Sequence, residues 1–208
     1  MLRVVDVSTE TEFIKHSQRC MNDHQRTNFF ALLISLVLCI SIASIYPDSL
    51  QLLMWDRAAI DTGQWWRLLT AHLVHLNIPH LLLNLFALLL IVEILCQSMT
   101  ALELTSLLLL CALGISSLLL YLQLSLQWYA GLSGVLYGLW AAGAALTWLS
   151  GRQGLAICAG IALVVKLILF NHSVLSMPIV SVAHVYGAAS GLLWLCLWWV
   201  SERKVIFD

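Results

Sequence analysis

Ser133 and His184 are the residues of this sequence whose types and spacing most directly imply chemistry. Ser133 stands in Gly131-Leu132-Ser133-Gly134 at the head of an apolar, helix-length run, and His184 lies inside another such run. A serine hydroxyl is a poor nucleophile until a base takes its proton. An imidazole of near-neutral pKa takes it without leaving a permanent buried charge. Both side chains are rare and costly in lipid-facing helices, so a pair of them at bilayer depth implies a functional site. The chemistry implied is acyl transfer through a serine nucleophile.

Small residues frame the pair. Gly134 and Gly138 form Gly-x-x-x-Gly, while Ala183, Gly187 and Gly191 repeat every four residues. Faces of this kind let two membrane helices approach closely, and antiparallel packing of the two runs would bring Ser133 to His184. Tyr137 follows Ser133 by four residues on the same helical face, where it would stack on the His184 ring. His80 and Asn84 also share a face, on an earlier apolar run. Both donate hydrogen bonds, as an oxyanion hole requires, although an internal helix–helix hydrogen bond would also account for them.

Other candidates carry less. His72, His75 and His80 suggest a metal site, but the His-Glu-x-x-His helix is missing and no carboxylate ligand stands nearby. No metal and no cofactor are expected. Trp65-Trp66-Arg67 fits an interfacial belt. Glu93 and Glu103 fall at the ends of apolar runs, where solvation explains them better than catalysis, and His172 takes no role.

The elements that position these residues follow from composition. Of 208 residues, 61% are hydrophobic and 10% charged. Soluble domains carry roughly 25% charged residues, so most of this chain must face lipid. A net charge of −1 without a basic stripe argues against a nucleic-acid partner. Six apolar segments each approach the ~20 residues that cross a bilayer as helix. They are Phe29–Tyr46, Ile78–Cys96, Leu104–Leu122, Leu132–Leu149, Leu155–Phe170 and Ile179–Val200. Leu155–Phe170 contains Lys166, which would snorkel to the nearer interface. Only the first loop, Pro47 to about Asn77, is long. The expected fold is an all-α membrane protein with a six-helix bundle over 29–200, an N-terminal arm over 1–28 and a tail over 201–208.

Six spans put both termini on one side. That side holds Arg3, Lys15, Arg19, Arg26, Arg152, Arg203 and Lys204, against Arg57 and Arg67 on the other. The positive-inside rule therefore predicts cytoplasmic termini, and it turns Ser133 and His184 toward the outer face. The first 28 residues mix both charge signs without an apolar core, so no signal peptide is expected. Cys20, Cys39, Cys96, Cys111, Cys158 and Cys196 show no ligand spacing and read as small buried hydrophobes, with no disulfides expected.

From Trp66 to Leu193 the chain resembles the rhomboid intramembrane serine proteases. The resemblance rests on Trp66-Arg67 in a long first loop, His75, His80-x-x-x-Asn84, Gly131-Leu132-Ser133-Gly134 with Tyr137, and Ala183-His184-x-x-Gly187-x-x-x-Gly191. It implies a Ser133 nucleophile and a His184 base without a third acidic member. It also implies an oxyanion hole of His80, Asn84 and the Ser133 N–H, with Tyr137, Gly131, Gly134 and Gly187 in support. The finer texture, Gly63-Gln64-Trp65-Trp66-Arg67-Leu68-Leu69-Thr70 and His75-Leu76-Asn77, is similar to the rhombosortase branch. That branch implies cleavage of C-terminally anchored proteins with Gly-rich sorting tails, in the bacterial inner membrane. The family often has a further His just after the first-loop helix; here Ala71 and then His72 occupy that region, which leaves the role of that His open.

Two other functions fit parts of the pattern. A catalytically inactive rhomboid-like protein would bind membrane proteins without cutting them, against which stand Ser133, His184 and the oxyanion pair. A transporter would need a continuous polar pathway, and the sequence shows neither a repeat nor charged mid-span residues beyond Lys166.

Overall fold

The computed structural model describes residues 21–43, 46–169 and 180–207. The positions of Arg3, Lys15, Arg19, Cys20 and His172 lie outside the described residues. In chain order the elements are α1 (Asp23–Ala43), α2 (Pro47–Leu53), β1 (Trp55–Asp56), α3 (Arg57–Asp61) and α4 (Arg67–Thr70). There follow α5 (Ile78–Leu95), α6 (Ala101–Leu122), β2 (Trp128–Tyr129), α7 (Ser133–Leu149), α8 (Gln153–Leu169) and α9 (Val180–Phe207). The described helical parts of the six apolar runs thus fall in α1 and α5 to α9, and the long first loop folds into three short helices and a strand.

Boundaries differ from the apolar runs where polar caps decide them. Helix α1 begins six residues ahead of Phe29, because Asn22 and Gln25 cap each other. The Gln25 N–H donates to Asn22 Oδ1 at 2.9 Å and the Asn22 N–H to Gln25 Oε1 at 3.1 Å. At the other end α9 runs on past Val200 to Phe207. Trp194 Nε1 donates to Ser106 Oγ at 2.9 Å and Trp198 Nε1 to Glu103 Oε1 at 2.7 Å, so this end of α9 is fastened to α6. Glu103 also closes a capping box with Thr100 at the start of α6, and Glu93 pairs with Arg26 of α1.

Four of these helices, α1, α5, α6 and α9, are long and apolar enough to cross a membrane. Helices α7 and α8 are apolar but have 17 residues each. At 1.5 Å per residue that is about 25 Å, short of the ~30 Å of bilayer hydrocarbon. Helix α7 is enclosed by protein, packing on α5, α6, α8 and α9, with Leu139 and Ala142 fully buried.

A two-residue antiparallel ladder departs from the all-α expectation. Trp55 pairs with Tyr129 and Asp56 with Trp128, tying the first loop to the segment that leads into α7. Two arginines hold that loop. Buried Arg67 donates to Met54 O at 2.8 Å and to Gln51 O at 2.5 Å. Arg57 reaches the end of α6, where it donates to the carbonyls of Leu119, Leu120, Gln123 and Leu126 at 2.9–3.0 Å. Leu119 O and Gln123 O also accept backbone N–H groups, and a cation at this end of α6 meets the negative end of the helix dipole.

The closest helix contact joins α7 to α9. A Cβ on Gly187 would overlap the carbonyl oxygen of Gly134, and one on Gly191 would overlap that of Gly138. Backbone meets backbone there, so neither side can yield as a flexible side chain would. Gly187→Val is expected to lower the thermal midpoint in detergent and to abolish serine reactivity together, since overpacking typically costs ~1–3 kcal/mol. A valine variant with unchanged melting and unchanged labelling by a fluorophosphonate would contradict this contact.

Candidate active site

Ser133 is the first residue of α7 and His184 lies in the second turn of α9. The Gly134–Gly187 contact sets the two helices close enough for the side chains to meet. His184 Nε2 stands 2.9 Å from Ser133 Oγ, and both residues are half-buried. With that contact accepted by the imidazole, the hydroxyl proton points at Nε2, which is the arrangement general-base activation requires. The Tyr137 ring stacks on His184 at a centroid distance of 4.1 Å and an interplanar angle of 10°. Tyr137 belongs to a small buried cluster with Ala141, Ala188 and Leu163 of α8.

Ser133 is presented by the strand-like segment before it. The Gly131 N–H donates to Ala71 O at 2.9 Å, and Tyr129 Oη donates to Gly131 O at 2.7 Å. Gly131 has φ +130°, a conformation that a side chain would strain, and a Cβ there would meet His80 Cε1 at 2.8 Å. The His80 ring therefore abuts the chain two residues before the serine. As the first residue of α7, Ser133 also has a backbone N–H with no intrahelical acceptor.

His80 and Asn84 sit one turn apart on α5, whose start is fixed by Asn77 Oδ1 accepting from the His80 N–H at 2.9 Å. Asn84 is buried, and its Nδ2 has no hydrogen-bond partner among the described residues. An amide N–H buried without an acceptor is costly unless an oxygen arrives to take it. The structure thus brings together Ser133, His184 and Tyr137 by direct contact, and it sets His80 against Gly131.

Two histidines left without a role by the sequence prove to be buried structural groups. His72 Nε2 lies 3.0 Å from Ser116 Oγ, which itself donates to Leu68 O at 2.7 Å, so His72 must donate through Nε2. His75 Nδ1 lies 3.0 Å from Ser41 Oγ of α1. Ser41 and Ser116 were hidden inside apolar runs; the signal for them was that a hydroxyl facing the interior of such a helix needs a partner. Among the described residues no group of three or more His, Cys, Asp or Glu side chains is arranged to hold a metal.

Burial holds His72 and His75 neutral, pushing each down to about 4 from 6.5. In the unfolded chain both protonate near 6.5, so their contribution to stability is complete above pH 6.5 and lost as pH falls toward 4. A shift of this size for His72 corresponds to roughly 3 kcal/mol. The thermal midpoint of the solubilised protein is expected to drop between pH 6.5 and 4.5, and to drop less steeply in His72→Gln. Parallel slopes for the two proteins would refute the assignment.

Residues 62–201, more than half of the chain, match the rhomboid domain family. No curated protein matches the sequence. With apolar helices long enough to span a bilayer and this match across most of them, the chain belongs to the rhomboid family of intramembrane serine proteases.

Proposed function

We propose that the protein is an active intramembrane serine endopeptidase whose nucleophile is Ser133 and whose base is His184. The observation that carries this reading is the 2.9 Å contact between Ser133 Oγ and His184 Nε2, with Tyr137 stacked on the imidazole. As Oγ attacks a peptide carbonyl, Nε2 takes the hydroxyl proton and the carbonyl oxygen gains negative charge. The unpartnered Asn84 Nδ2, a ring N–H of His80 and the Ser133 N–H are the donors for that oxyanion, supported by the positive end of α7. Collapse of the tetrahedral intermediate breaks the C–N bond, and the imidazolium protonates the leaving amine. Water then attacks the acyl-serine with His184 again as base. No metal or cofactor enters.

The proposed topology has all six apolar helices spanning the inner membrane of a bacterium, with cytoplasmic termini and the six-helix domain over 29–200. Helix α7 is about 5 Å shorter than the hydrocarbon. With its Ser150 end at the cytoplasmic interface, Ser133 lies recessed below the outer one. The substrates are then single-span anchors cut near the extracytoplasmic face, and the rhombosortase-like texture of the first loop favours C-terminal Gly-rich sorting tails. Membrane lipid surrounds both enzyme and anchor. An inactive binding protein is the alternative, and retention of an assembled Ser133–His184 pair is the observation against it.

Ser133→Ala and His184→Ala are each expected to cut turnover on the order of 10³-fold or more while inserting normally, with the double variant hardly worse, because the two act as one unit. Turnover of the wild type should fall at acid pH as His184 protonates. Near-normal cleavage by Ser133→Ala, measured on purified protein with an anchored reporter, would refute the protease reading.

Substrate choice tests the finer part. A transmembrane helix hides its carbonyls in hydrogen bonds, so the cut site must unwind, and Gly lowers that barrier by about 1 kcal/mol relative to Ala. A reporter whose anchor begins with Gly or Ser should be cleaved and its domain released on the outer side, and Leu replacements should suppress this. Equal cleavage of both reporters would remove the sorting-tail reading alone.

A further inference from the structure

His75 is buried at 6% exposure although it belongs to the short link between α4 and α5. The hydrogen bonds around it fix its tautomer. Ser41 Oγ donates to Leu73 O at 2.8 Å and also stands 3.0 Å from His75 Nδ1. A hydroxyl has one proton, so with that proton on Leu73 O the contact with His75 is made by an N–H on Nδ1. Nε2 of a neutral ring is then a bare lone pair, buried and without a hydrogen-bond partner among the described residues. The same ring meets the His80 ring edge to face, with centroids 5.1 Å apart and planes at 79°.

His80 thereby has two close neighbours. One is Gly131, where even a Cβ would come within 2.8 Å of its Cε1, and the other is the His75 ring. Rotation about χ2 of a histidine is broad and roughly two-fold when nothing opposes it. A ring that must hold one N–H on a developing oxyanion needs such neighbours, because preorganised donors stabilise charge without reorganising at the moment of reaction.

We propose that His75 is a positioning residue: anchored to Ser41 of α1, its ring fixes the orientation in which His80 donates to the oxyanion. The inference rests on the protease reading above. His75 itself touches neither substrate nor nucleophile and acts entirely through His80, which gives α1 a direct mechanical link to the oxyanion side.

The test is a double-mutant cycle with an anchored reporter, reading kcat and KM per fluorophosphonate-reactive enzyme, alongside Ser133→Ala. His75→Ala should lower kcat about 10–100-fold with KM little changed, and His75→Phe, which keeps a ring there, should recover most of the loss. In a His80→Ala background the same two substitutions should change kcat less than about two-fold, since the residue they act through is gone. Ser41→Ala, which frees the His75 ring, should give a smaller loss that also vanishes without His80. If His75→Ala fails to fold, the Ser41→Ala cycle decides alone. Equal factors in the two backgrounds, or an unchanged kcat, would overturn the positioning role while leaving the protease reading intact. Absence of Ser133-dependent cleavage by the wild type would overturn both.

Discussion

The backbone contact between α7 and α9 is the constraint on which the rest of the site depends. Gly134 and Gly187, and one turn further Gly138 and Gly191, let two helices approach until carbonyl oxygens face Cα atoms. Only at that separation do side chains as short as Ser133 and His184 meet at 2.9 Å. Lipid tails are as apolar as Leu, so little hydrophobic drive holds helices together inside a bilayer. Close van der Waals contact and a few internal hydrogen bonds must do so. The glycines thus serve the fold and the dyad through one contact.

A second theme is the handling of polar groups that lipid cannot solvate. Arg57 satisfies four carbonyls at the end of α6, Arg67 two in the first loop, and the hydroxyls of Ser41 and Ser116 bind both a carbonyl and an imidazole. Each gives a polar side chain a hydrogen-bond partner whose absence would cost free energy in an apolar setting. Among the described residues a few buried polar atoms keep no partner: Asn84 Nδ2, Arg26 Nε, Trp55 Nε1, His72 Nδ1 and His75 Nε2. The first loop is therefore more than a connector. Through β1, Arg57 and the Gly131–Ala71 hydrogen bond it fixes the segment that delivers the serine.

Much of the arrangement was legible before any coordinates. Apolar runs marked six apolar helices, four of them long enough to cross a membrane, since their lengths and lack of charge admit little else. Spacing of four put Tyr137 on the face of Ser133 and Asn84 on the face of His80, and small-residue spacing marked the faces of α7 and α9. The ends of α1 and α9 were missed: the Asn22–Gln25 cap starts α1 inside sequence that reads as polar arm, and α9 runs on to Phe207 through sequence that reads as polar tail. The β1–β2 ladder was also missed, because two residues per strand leave no periodicity to read.

What the sequence determined by itself was the class of chain and the inventory of chemistry: a lipid-facing helical protein with Ser133, His184 and the His80–Asn84 pair at helical spacing. Composition and periodicity are local properties, and they are complete in the sequence. Tertiary structure alone decided the partners of His72 and His75 and the distances at which His80 and His184 meet their neighbours. His184 meets the serine, His80 lies against Gly131, His75 is tied to α1 and His72 to α6. Those assignments depend on which helix faces which and at what distance. No spacing along the chain encodes a contact between residues brought together only when the bundle closes.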